Sequence, residues 1–93
     1  MTQYCNVCDV TGRGMNEGWH FEYLGYYTAT EEATIQIIRE HYPQYKDISD
    51  DKVIEAVYED ENVYWTDWWD ECADEILEQG FYYTEEGKII ELK

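Results

Sequence analysis

The sequence predicts one small α+β domain over residues 1–93, with an N-terminal knuckle and hairpin, about three helices and a C-terminal β-hairpin. Three observations predict it. A length of 93 residues accommodates one core rather than two. Three stretches repeat apolar residues at helical spacing behind capping side chains. Two aromatic-rich stretches reverse at glycines, as hairpins do.

In chain order, residues 3–10 read as a short strand leading into a turn at Gly12–Gly14. "GWHFEYLGYYTA" (18–29) reads as a hairpin turning near Leu24–Gly25. A helix is expected from about Thr30, capped by Thr28 or Thr30. Glu31 and Glu32 face the positive end of its dipole. Ile35, Ile38 and Tyr42 share its apolar face with Ile37 alongside, and Pro43 stops it at or before Tyr42. "ISDDKVIEAVYED" (48–60) reads as a second helix with Ser49 as cap, Asp50 and Asp51 in its first turn, and a stripe of Val53, Ile54, Val57 and Tyr58. "TDWWDECADEILEQG" (66–80) reads as the third, capped by Thr66 and stopped by Gly80. Its apolar face is Trp69, Cys72, Ala73, Ile76 and Leu77. "FYYTEEGKIIEL" (81–92) closes as a hairpin turning at Glu86–Gly87.

Four Trp, ten Tyr and two Phe supply the core of so short a chain and argue against an acidic disordered polymer. Three cysteines is an odd count, which argues against a secreted disulfide framework. With no apolar run long enough for a bilayer and no leader pattern, a cytoplasmic protein is expected. The net charge is −16 and it is unevenly spread. Residues 1–46 carry six acids and three bases, whereas residues 47–93 carry sixteen acids and three bases. Such a field repels nucleic acid and anionic membrane and attracts basic proteins and cations.

"CDVTGRGMNEGW" (8–19) joins a cysteine to a glycine-rich turn, and "YWTDWWD" (64–70) follows later. Together they resemble a group of small proteins frequent in phage and prophage genomes that carry a treble-clef or ribbon-like zinc knuckle. That group opens C-x-x-C-G-K-G-M-N-E-G-Y. A hairpin follows, then a C-S-D-E-C-like helix start and an acidic Y-W-T-E-W segment. Cys8 falls on the first cysteine, and Gly12 to Trp19 follow the motif. The resemblance implies a knuckle fold and a phage context, hence a host-cell cytoplasm, and supplies no mechanism. The other ligand positions fall on Thr11, Ala29 and Ala33, none of which offers the thiolate or imidazole that structural zinc requires. A degenerate knuckle with no metal and no cofactor is therefore expected. The alternative is a zinc-binding structural or assembly protein that keeps one zinc through Cys5-x-x-Cys8, drawing on His20 or Cys72.

No catalytic constellation is present. His20 and His41 have no partnered nucleophile, no serine sits in a nucleophile elbow, and no glycine-rich phosphate loop follows a strand. "DISDD" lacks the spacing and glycine of a calcium loop. A non-enzymatic protein is expected.

The acids themselves carry the functional expectation. Asp67, Asp70, Glu71, Asp74, Glu75 and Glu78 fall opposite the third helix's apolar face, with members three or four residues apart separated by a rise of roughly 4.5–6 Å. Glu55 and Glu59, with Asp50, Asp51, Asp60 and Glu61, form a second acidic patch upstream. Like charges at this spacing cost a helix a few tenths of a kcal/mol per pair, a penalty that interleaved lysines would have avoided. The expected role is an acidic module that imitates nucleic-acid phosphates and occupies the channel of a basic nucleic-acid-binding protein, such as a host defence effector. Direct nucleic-acid and membrane contacts are not expected. Tyr64, Trp65, Trp68 and Trp69 lie too close together for one helix to bury them all, so a homodimer is a further alternative.

Overall fold

The structure, a computed structural model, describes residues 3–92. It is an α+β fold. The strands are β1 (Asn6–Val7), β2 (Gly14–Met15), β3 (Glu17–Phe21), β4 (Tyr26–Thr28), β5 (Val63–Asp67), β6 (Phe81–Tyr83) and β7 (Ile89–Glu91). The helices are α1 (Glu31–His41), α2 (Asp50–Asp60) and α3 (Trp69–Gln79), with a 3₁₀ turn at Pro43–Tyr45. No helix among the described residues is long and apolar enough to cross a membrane.

The expected hairpins form. β3 and β4 pair antiparallel around the turn containing Gly25, and β6 and β7 around the turn containing Gly87. Gly87 is required twice over. Its φ is +86°, and a Cβ there would overlap the carbonyl oxygen of Gly12, so the C-terminal turn lies directly on the knuckle. Tyr4 and Tyr83 exchange backbone hydrogen bonds, which ties the N-terminal segment to the same hairpin.

Helix α1 begins where Thr30 accepts a hydrogen bond from the Ala33 N–H. Thr28 is therefore not the cap. It is fully buried, with Oγ1 2.6 Å from Thr34 Oγ1. Ser49 stands at the N-cap of α2, where its carbonyl rather than its hydroxyl receives the Lys52 and Val53 N–H groups. In α2, Val53 and Val57 are fully buried and Ile54 partly so, while Tyr58 points outward at 57% exposure.

The third helix departs most from expectation. Thr66 and Asp67 lie in β5, which pairs antiparallel with β3 in the register Trp19↔Trp65 and Phe21↔Val63. Thr66 is thus no helix cap, and Asp67 is a strand residue. The helix starts at Trp69 with Trp68 at the N-cap, making no side-chain cap bond. Its end is as expected, with Gly80 at φ +83°. Only Cys72 and Ile76 of the expected apolar face are buried. Trp69, Ala73 and Leu77 are exposed, Leu77 at 74%. The reason is that β5, not α3, fills the space beside β3, leaving α3 to touch the body along a narrower strip.

The sheet β4–β3–β5 organises the molecule. One face presents Phe21 and Val63 to a core with Ile37, Ile38, Tyr42, Tyr45, Val53 and Val57. Because strand side chains alternate, the other face carries His20, Tyr27 and Tyr64. Two smaller clusters lie toward the knuckle. One joins Cys5, Cys72 and Ile76, and the other Cys8, Met15 and Ala33. The molecule is a rod of 50 × 21 × 18 Å.

Candidate partner-binding surface

The knuckle positions converge without a ligand set. Cys8 packs with Ala33 and Ala29, and its Sγ accepts hydrogen bonds from the Thr11 and Ala29 N–H groups at 3.5 and 3.4 Å. Burial raises the Cys8 pKa, but hydrogen bonds from Thr11, Ala29 and Val10 outweigh it and hold the thiol below its ordinary value. Cys5 belongs elsewhere. Its backbone N–H and its thiol both donate to Asn16 Oδ1, at 3.0 and 3.3 Å, and the Cys72 thiol donates to the same oxygen at 3.2 Å. Asn16 Nδ2 donates in turn to Gln3 O. Burial, then the neighbouring Cys72 and Glu75, push the Cys5 pKa well up, so its thiol stays protonated. Cys5 and Cys8 thus pack in separate clusters. Among the described residues no three His, Cys, Asp or Glu side chains gather as a metal site.

His20 is built into the sheet's second face. Its ring stacks on Tyr27 with centroids 4.5 Å apart, and its Nδ1 lies 3.0 Å from the Tyr64 hydroxyl. His41 is exposed and lies against the Tyr26 ring. Neither histidine is hydrogen-bonded to a serine or cysteine among the described residues.

The structure exposes all eight expected carboxylates: Glu55, Glu59, Asp67, Asp70, Glu71, Asp74, Glu75 and Glu78. Among the described residues none of the eight is in an ion pair or a side-chain hydrogen bond. The one ion pair among the described residues is Arg39–Asp50, at 2.7 Å. On α3 the five acids from Asp70 to Glu78 cover an arc of about 140°, centred opposite Cys72 and Ile76.

The eight do not form one continuous face. Asp67, Glu71 and Glu75 line a cleft of about 290 Å³ over the sheet's second face, with His20, Tyr27, Tyr64 and Trp68. Asp70, Asp74 and Glu78 lie outside that cleft. Glu55 and Glu59 line a separate groove of about 410 Å³ between α2 and β5, joined by Asp60. Its aromatic walls come from Trp19, Tyr58 and Trp65, of which the sequence marked only Trp65, and that as an anchor for self-association. The available signal was the alternation in Val63–Asp67. Read as a strand, it places Val63 in the core and turns Trp65 toward the same face further along.

Comparison of the chain with protein-family models, curated proteins and solved structures finds no match.

Proposed function

We propose that this protein is a non-enzymatic acidic binding module. Its carboxylates stand in for nucleic-acid phosphates and occupy the basic channel of a nucleic-acid-handling protein, in a host cell if the chain is phage-encoded. The observation that carries the reading is the set of eight exposed carboxylates without an ion-pair partner among the described residues, held on ordered helix and strand. A surface that served only solubility would neutralise part of that self-repulsion with interleaved lysines.

The magnitudes support a single-strand footprint. One nucleic-acid strand carries a phosphate per 3.4 Å, so a length of 50 Å holds about 15 charges. The protein carries −16. A duplex of the same length would carry about 30. The net charge of this rod therefore matches one phosphate track rather than two.

The test is affinity capture from a host lysate at low salt, with the retained proteins identified by mass spectrometry. It is repeated with Asp70, Asp74 and Glu78 changed to Lys. The expected result is a basic nucleic-acid-binding protein that is retained by the natural chain, released as salt rises and lost with the triple variant. Capture of no such protein, or retention unaffected by the triple change, overturns the proposal.

A further inference from the structure

The groove between α2 and β5 differs in kind from the rest of the acidic surface. Elsewhere the carboxylates stand over open solvent or over the polar ring system of His20, Tyr27 and Tyr64. Here Glu55, Glu59 and Asp60 rim a cavity of about 410 Å³ whose walls are aromatic. Trp65 is half-exposed at 50% and packs in a T-shaped pair with Trp19, with centroids 4.7 Å apart at an interplanar angle of 85°. Tyr58 is 57% exposed on the opposite wall. The two rings leave aromatic surface open beside the carboxylates, which a partner side chain can cover.

We infer that this groove is a binding pocket for an arginine side chain presented by a basic partner protein. The inference rests on the proposed function and names the chemistry of one contact within it. A flat guanidinium stacks on an aromatic face and forks two N–H groups onto a carboxylate, so it satisfies both components of the groove at once. An ammonium offers a point charge without the planar surface. The volume lies at the small end of ligand pockets, which suits one side chain better than a folded segment. Arginine inserted into an aromatic pocket is also a characteristic anchor of protein interfaces.

The protein cannot readily supply this arginine itself. It has two, Arg13 and Arg39. Arg39 is committed to Asp50 and to the carbonyls of Tyr45 and Ile48. A second copy offering Arg13 would bring −16 against −16. Charge complementarity therefore selects a basic partner.

The test is a titration of ¹⁵N-labelled full-length protein with a short arginine-containing peptide and its lysine and citrulline counterparts, following the indole N–H signals of Trp19 and Trp65. The expected result is that the arginine peptide moves both signals, and that the lysine and citrulline peptides bind more weakly. Trp65→Ala weakens the arginine peptide by about fivefold. Glu59→Gln, which leaves the aromatic packing in place, weakens it by a similar factor. Equal binding of the lysine peptide overturns the inference, because it would report a diffuse field rather than a shaped pocket. So does equal binding by free spermidine, or self-association that moves the same signals without peptide. If the peptide moves only signals of Asp70, Asp74 and Glu78, the pocket falls and the phosphate-mimic reading stands. If no cationic peptide binds at low salt, both fall.

Discussion

At the scale of single residues, Asn16 does more than its place in a glycine-rich motif indicates. It is 1% exposed, and its amide oxygen collects the Cys5 N–H and two thiols while its nitrogen reaches Gln3 O. A buried amide bound on both sides stabilises only while its partners remain in place. Asn16→Ala is expected to cost about 2–3 kcal/mol, because it strands the Cys5 N–H away from water. Urea unfolding checks this, and an unchanged midpoint would mean that the network closes without Asn16. Tyr45 supplies a pH dependence. Burial first, then the carboxylates of Asp60 and Glu61, raise its pKa from 10.0 to about 12. The fold therefore prefers the protonated phenol. The contribution to stability is complete below pH 10 and is lost as pH rises through about 12. Tyr27 and Tyr42 are shifted the same way, again chiefly by burial. The unfolding midpoint is expected to fall across this window, and Tyr45→Phe to flatten the fall.

Among the elements, α1 and α2 are connected by one side chain. Arg39 spans from α1 to the carbonyls of Tyr45 and Ile48 and to Asp50 in the first turn of α2. Two of its contacts are to backbone carbonyls of the connecting segment, that of Tyr45 also accepting the Ile48 N–H, and the third is to the Asp50 carboxylate. Arg39→Ala is expected to lower stability by about 1–2 kcal/mol, less than three buried charged bonds would give because the side chain is 31% exposed. Arg39→Lys should recover little, since an ammonium cannot fork to these three oxygens. Thermal unfolding followed by circular dichroism distinguishes the two variants. Much at this scale was legible in the sequence. Thr30, Pro43 and Gly80 mark helix ends through their own stereochemistry, and Gly25 and Gly87 mark the turns. The strand β5 was not legible. Thr66 followed by acids has the form of a helix start, and five residues of alternation are too few to outweigh it locally. The competing preference came from β3, more than forty residues earlier, which needed a partner on its open edge.

For the molecule as a whole, charge and shape act together. The molecule is a rod of 50 × 21 × 18 Å carrying −16 charges, which under the proposed function is the charge of one phosphate track of that length. The prediction at this scale concerns competition. Once a basic partner is identified, a single strand of about 15 nucleotides should displace the protein from it, and the displacement should weaken as salt rises. Fluorescence anisotropy of labelled oligonucleotide measures both directions of the exchange. Failure of single strands to compete at any excess would place the binding surface outside the partner's nucleic-acid channel. The candidate surface was half legible. All eight acids expected to be exposed are exposed, because carboxylates in such number cannot be buried. Their grouping was not legible. A helical wheel placed six of them on one ladder and Glu55 and Glu59 in a second patch, whereas the chain divides the six between a cleft and an outer ridge and sets Glu55 and Glu59 in an aromatic groove beside α2.

The sequence by itself determined the α+β composition, the hairpin turns at Gly25 and Gly87, the helix ends at Pro43 and Gly80 and the acidity of the C-terminal half. Each of these follows from local stereochemistry or from counting charges, which no distant contact can change. Only the tertiary structure decided that residues 63–67 are a strand, that Cys5 pairs with Cys72 through Asn16 rather than with Cys8, and that Trp65 meets Trp19 above Glu55 and Glu59. Those outcomes depend on which surfaces far apart in the chain bury one another, and burial is a property of the whole fold rather than of any segment.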